Sequence, residues 1–112
     1  MTLDDLKNIG VDTEDGMARC MNNEAFYIKM VNMFLADESK FDALKSALDA
    51  GDLASAFEQA HALKGVCANL ALTPLQTRIS DITELLRSHT EMDYSDKYQE
   101  VMKCWDELKA LA

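Results

Sequence analysis

The sequence predicts an all-α fold, an antiparallel four-helix bundle with one or two short N-terminal helices that cap one end. Apolar residues recur at helical spacing in four long segments joined by short connections. No stretch alternates with the period of a strand. The 112 residues include one proline and four glycines, and helix-forming residues dominate. At this length we expect a single domain over residues 1–112.

Two short helices are predicted before the first long segment. Thr2 can cap a helix that runs to Asn8, with Gly10 just past its end. Asp12 can cap a second helix, which carries acidic residues in its first turn, where the helix dipole favours negative charge. Asn23 can cap the helix that follows.

The first long segment starts at Glu24 and is predicted to kink or break near Asp37, which could itself act as a cap. Gly51 ends this segment and Asp52 starts the next one. The predicted buried face holds, in chain order, Phe26, Met30, Met33, Phe34, Phe41, Leu44 and Leu48.

The central helix is followed by a tight turn between Leu70 and Thr73 and by a returning helix. Thr73 at the cap, Pro74 at the first helical position and Gln76 together predict a capping box. Residues 88–94 form a polar loop, after which Ser95 can cap the last helix. The three predicted stripes are Leu53, Phe57, Ala60, Leu63, Cys67 and Leu70; Leu75, Ile79, Ile82 and Leu86; and Tyr98, Val101, Trp105 and Leu108.

The net charge of −9 disfavours nucleic acid and anionic membrane surfaces as partners, because both carry negative charge. No apolar run is long enough for membrane insertion, and the first five residues do not resemble a signal peptide. The three cysteines contain no Cys-x-x-Cys pair. We therefore expect a cytoplasmic protein whose reduced cysteines pack as small hydrophobic side chains.

His61 is the candidate reactive residue. It follows Ala60 of the buried stripe, and one helical step of about 100° places it at the edge of that stripe or outside it. Lys64 lies one turn on, and the neighbouring Gly65 and Ala68 are small. A surface histidine on a helix usually has no special role, and a helical glycine often marks packing between helices. The pattern alone therefore leaves open whether His61 is a reactive residue or an ordinary surface histidine.

The string from Ala60 to Gly65, Ala-His-Ala-Leu-Lys-Gly, resembles the His-x-Leu-Lys-Gly signature of histidine phosphotransfer (HPt) domains. The residues Val66–Leu70 and Leu72–Leu75 are similar to the rest of that helix and its turn. The entry segment of the family is similar to Gly10–Asp12 together with Gly16, Met17 and Arg19. The resemblance covers roughly Gly10 to Leu111. Ala71 departs from it, because family members often have glycine there and a left-handed C-cap is less comfortable for alanine.

The resemblance implies that His61 accepts a phosphoryl group from a receiver-domain aspartate and passes it to another receiver. Lys64 would stabilise the phosphoryl group, and Gly65 and Ala68 would leave room for docking. Thr83 and Arg87, counted back from the turn, would lie opposite His61 and assist. The partners would be response-regulator receiver domains, which supply Mg²⁺, and a sensor histidine kinase. The domain itself would be a monomeric carrier with no cofactor or kinase activity of its own.

Two alternative functions belong to different classes of protein. A helical interaction module that is never phosphorylated would have no use for His61 beside Lys64 and Gly65. The phosphoacceptor part of a histidine kinase would need an ATP-binding domain, for which 112 residues leave no space, although the chain could be the C-terminal HPt piece of a hybrid kinase. His89, at a helix end, is expected either to interact with the helix dipole or to be merely exposed. Two histidines without matched carboxylates do not support a metal site.

Overall fold

A computed structural model describes residues 1–112 and contains seven helices and no strand, which confirms the all-α prediction. None of these helices combines the length and the apolar character needed to cross a membrane. The helices are α1 (Leu3–Asn8), α2 (Thr13–Arg19), α3 (Glu24–Leu35), α4 (Ser39–Asp49), α5 (Leu53–Asn69), α6 (Thr73–Arg87) and α7 (Ser95–Lys109).

The central helix α5 packs against both α4 and α6, and α6 also packs against α7. An aromatic cluster joins α3, α4 and α7. The Trp105 ring lies 4.4 Å from the Phe41 ring and 5.1 Å, edge-on, from the Phe34 ring, measured between centroids. Trp105 is fully buried, so this cluster fixes the last helix against the first half of the chain. Cys20, Cys67 and Cys104 are buried among the core side chains, as predicted.

Four of the predicted N-caps are confirmed. The side chains of Thr2, Asp12, Asn23 and Asp52 each accept a backbone N–H three residues on, at 3.1 Å in every case. Each satisfies an amide that the first turn of a helix would otherwise leave unpaired. These caps set the starts of α1, α2, α3 and α5.

The predicted caps at Thr73 and Ser95 are wrong. Helix α6 already includes Thr73, and its cap residue Leu72 offers no side-chain acceptor. The Thr73 hydroxyl instead donates to the carbonyl of Ala71 at 3.1 Å. Before α7, Asp93 accepts the amide of Ser95 at 2.9 Å, so the serine is not the residue that caps that helix.

The chain breaks completely between α3 and α4 instead of kinking. Asp37 accepts the amide of Ser39 at 2.9 Å. The next residue, Glu38, accepts hydrogen bonds from the Trp105 indole at 3.1 Å and from the Lys109 ammonium. Those two donors, Lys109 foremost, lower the pKa of the Glu38 carboxyl below its ordinary value. The break thus brings a carboxylate to the end of α7.

The buried face predicted for α3 is one residue out of register. Phe26 and Met33 are 42% and 57% exposed, whereas Tyr27, Val31 and Leu35 are buried. Helix α3 has apolar residues on nearly all sides, so periodicity indicates a helix without selecting its inner face. Tertiary contacts select that face.

The turn between α5 and α6 is held by residues that come much earlier in the chain. The Tyr27 hydroxyl donates to the carbonyl of Leu70 at 2.8 Å, and the Asp12 amide donates to the carbonyl of Ala71 at 3.3 Å. Ala71 has a φ of +54°, so it adopts the left-handed conformation despite being alanine. The link from Gly10 to Asp12 therefore lies against this turn.

We predict that Gly16→Ala lowers the free energy of unfolding by about 1–3 kcal/mol. A Cβ at Gly16 would lie 2.4 Å from Cζ of Tyr27. That ring cannot easily move, because it is fully buried and its hydroxyl is bonded to Leu70. Urea denaturation followed by circular dichroism measures the loss.

Gly65→Ala is the matched control, because it is the same change inside a helix with no atom within 4 Å of the new Cβ. It should raise the free energy of unfolding by about 0.5–1 kcal/mol, since alanine loses less backbone entropy on folding. Equal effects of the two substitutions would contradict the predicted crowding at Gly16.

Stability should fall in alkaline solution. Burial raises the pKa of Cys67 from 9.0 to about 12 and that of Tyr27 from 10.0 to about 12. Both groups hold their protons more tightly in the folded chain, so their stabilising effect is complete below about pH 9 and is lost as the pH rises toward about 12. Urea denaturation at about pH 8 and about pH 11 measures the decline. The stability of Cys67→Ala should decline less over this pH range than that of the parent protein. An equal decline would contradict a contribution from the Cys67 thiol.

Candidate functional site

His61 lies on the exposed side of α5, as its offset from the buried stripe predicts. Its neighbours Ala60 and Leu63 are fully buried, whereas the imidazole is exposed. The ring stacks on Phe57, one turn earlier, with 5.5 Å between centroids and 11° between planes. Phe57 is half-buried, so it anchors one face of the imidazole while the ring stays open to a partner.

Two cations stand beside this pair, and one carboxylate joins them. Nζ of Lys64 lies 3.6 Å from Oε1 of Glu84, and Nε of Arg87 lies 3.2 Å from Oε2 of the same residue. Lys64 belongs to α5, whereas Glu84 and Arg87 belong to α6. The packing of α6 on α5 therefore brings the second cation to the face that carries His61.

Arg87 also contacts the aromatic anchor of the imidazole. Its guanidinium carbon lies 4.9 Å from the centroid of the Phe57 ring, within the range of a cation–π contact. The contacts thus run from His61 through Phe57, Arg87 and Glu84 to Lys64, which lies one turn after His61. We call these five residues the His61 cluster.

Gly65 has no internal packing role. It is exposed, and a Cβ built on it would meet no atom within 4 Å. A glycine inside a helix costs about 0.5–1 kcal/mol relative to alanine, and no contact within the chain explains that cost. Together with the exposed Ala62 and the half-buried Ala68, it leaves a low surface next to His61.

The structure places Thr83 away from this surface, so the predicted role for that residue does not fit. Its side chain is fully buried, and its hydroxyl donates to the carbonyl of Ile79 at 2.6 Å. A threonine that faces the core and satisfies its hydroxyl within its own helix cannot reach a group on an exposed imidazole. Counting from the turn gave the right level along α6 but the wrong side of the helix.

Two members of the His61 cluster, Phe57 and Glu84, were not predicted as site residues. Phe57 was assigned to the buried stripe, although it precedes His61 by one helical turn and its stacking could be inferred from that spacing. Glu84 precedes Arg87 by three residues, which predicts an ion pair. Its contact with Lys64 depends on the register of α6 against α5, which the sequence pattern does not define.

An exposed imidazole can act as a nucleophile when a ring nitrogen is unprotonated, and a nearby ammonium or guanidinium can stabilise an anionic group attached to it. The surface holds no group of three or more histidine, cysteine or acidic side chains placed to bind a metal ion. The other histidine, His89, is exposed, has a φ of +53° and follows the end of α6, outside the His61 cluster.

This combination of an all-α fold and an exposed histidine followed by lysine and glycine is typical of histidine-containing phosphocarriers. The family model of the Hpt domain matches residues 29–111, most of the chain, and the chain belongs to this family. No curated protein and no solved structure matches it. Hpt domains carry phosphoryl groups in two-component phosphorelays, lack kinase activity, and interact with receiver domains and kinases.

Proposed function

We propose that the chain accepts a phosphoryl group on His61 from the aspartate of one response-regulator receiver domain and passes it to another. The observation that carries this proposal is the surface around His61. An exposed imidazole lies between an aromatic anchor and a lysine, beside Gly65, whose missing side chain has no neighbour within the chain. A surface of this kind suits a docking partner that approaches the helix backbone closely.

The transfer step forms one bond and breaks one. An unprotonated nitrogen of His61 attacks the phosphorus of the receiver's aspartyl phosphate. A nitrogen–phosphorus bond forms as the bond to the aspartyl oxygen breaks, and the aspartate leaves as a carboxylate. The phosphorylated imidazole then releases its extra proton to solvent. The receiver supplies Mg²⁺ for the transferring group, while Lys64 and Arg87 offer positive charge to the phosphohistidine.

For the architecture we propose that α4 to α7 form an antiparallel four-helix bundle. Each of these helices packs against the next one along the chain. The bundle would close between its first and last helices, where Phe41 packs on Trp105 and the Tyr98 hydroxyl donates to the carbonyl of Phe41 at 3.3 Å. In this arrangement His61 stands midway along the central helix α5.

The partners we propose are receiver domains and a sensor histidine kinase, and the site of action is the cytoplasm. The chain would act as a monomeric carrier. Its net charge of −9 favours partners with a basic or neutral docking face. A free-standing carrier and a domain of a hybrid sensor kinase both suit this role.

We predict that His61→Gln stays folded but accepts no phosphate from a phosphorylated receiver, because the amide is not a nucleophile. Radiolabel transfer from a panel of phosphorylated receivers of the same organism measures this, with circular dichroism as the test of folding. His89→Gln, which removes the other histidine, is the matched control and should accept label like the parent protein.

The label on the parent protein should be acid-labile and base-stable, as a phosphohistidine is. Persistent labelling of His61→Gln would overturn the assignment of the acceptor. A parent protein that binds receivers but is never labelled would favour a helical interaction module instead.

We predict that Gly65→Leu leaves the fold intact but slows transfer from a receiver roughly ten- to a hundred-fold, because a misplaced partner loses the alignment that transfer needs. The open space around Gly65 lets the fold accept the side chain. Phosphoramidate, a small phosphodonor, should still label His61 in this variant. Transfer at the parental rate would show that no partner approaches Gly65.

A further inference from the structure

Glu84 is the residue of the His61 cluster for which the proposed function gives no role. It is the only acidic side chain that pairs with Lys64, and it also pairs with Arg87. Each of its carboxylate oxygens faces one of the two cations. Without a phosphoryl group on His61, the positive charges closest to the site are therefore matched by a carboxylate of the same chain.

A phosphoryl group on His61 would require the same cations. It carries up to two negative charges, and Lys64 stands one helical turn from the imidazole that would hold it. All three partners in these ion pairs are partly exposed. Exposed ion pairs are weak, so the carboxylate can give way to a stronger anion without disturbing the fold.

We propose that Glu84 is a positioning residue that competes with the phosphohistidine for Lys64. It holds the ammonium near α6 when His61 is free and must release it, at least in part, when His61 is phosphorylated. By opposing the phosphorylated form, it keeps that form from becoming too stable to hand its phosphoryl group on. This inference rests on the proposal that His61 carries phosphate, and it concerns how tightly the group is held.

The surroundings of Glu84 provide a matched control. Asp81 lies one turn earlier on the same helix, is exposed, and makes no ion pair. Asp81→Asn therefore removes the same charge from α6 without freeing a cation of the His61 cluster. A difference between Glu84→Gln and Asp81→Asn isolates the effect of the two ion pairs from that of net charge.

The test loads His61 chemically, so that it does not depend on any receiver. In a His89→Asn background, His61 is the only histidine, and phosphoramidate phosphorylates it directly. A ³¹P NMR titration then gives the acid dissociation constant of the phosphoryl group. Glu84→Gln should raise this constant roughly two- to five-fold, the range expected for one exposed charge pair, because a freed Lys64 favours the dianion. Asp81→Asn should leave it close to the parental value.

A second background shows whether Glu84 acts through Lys64. With Lys64→Ala in place, Glu84→Gln should change the dissociation constant much less, as a double-mutant cycle requires of coupled residues. No change in the parental background, a change in the opposite direction, or an equal effect with and without Lys64 would each overturn the proposal.

The failure of this inference can be told apart from failure of the proposed function. Receivers that never label His61 would remove the relay role, while the chemically loaded protein would still report the coupling between Glu84 and Lys64. Conversely, normal transfer from receivers together with an unchanged titration in Glu84→Gln would leave the relay role intact and remove the competition.

Discussion

The tight turn between α5 and α6 is the constraint on which the candidate site depends. Those two helices supply every residue of the His61 cluster, and the turn sets how far one is shifted along the other. With Ala71 in the left-handed conformation and its carbonyl bonded to Asp12, Lys64 comes opposite Glu84 and Phe57 comes beside Arg87. A shift of one residue along α6 would turn Glu84 and Arg87 away from α5 by about 100°.

The conformation of that turn depends on residues outside it. A left-handed conformation costs a residue other than glycine about 1–2 kcal/mol, and Ala71 persists in it because the surroundings determine its position. The carbonyls of Leu70 and Ala71 accept hydrogen bonds from the Tyr27 hydroxyl and the Asp12 amide. Both donors precede residue 29, where the match to the Hpt family begins. The first 28 residues therefore help to fix the turn that aligns the site.

Local sequence patterns were enough to predict some features of the structure but not others. The caps at Asp12 and Asn23 and the outward position of His61 follow from side chains within one or two helical turns, so they could be predicted. The inner face of α3 could not, because a helix that is apolar nearly all round is oriented by distant contacts such as the one from Tyr27 to Leu70. Thr83 and Glu84 show the same limit, since their faces depend on how α6 is rotated against α5.

Gly65 and Glu84 each depart from the residue that a single simple requirement would favour. A helix selected only for stability would have alanine at residue 65, where the space is open and a side chain would meet nothing. A site selected only to hold phosphate tightly would leave Lys64 and Arg87 unopposed, without a carboxylate between them. In the proposed relay role, the chain needs neither the greatest stability nor the tightest hold on phosphate. It must let a partner approach the helix closely, and it must hold the phosphoryl group weakly enough to lose it again. In that role, residues that are unfavourable for helix stability or for tight phosphate binding become favourable for passing a phosphoryl group between two proteins.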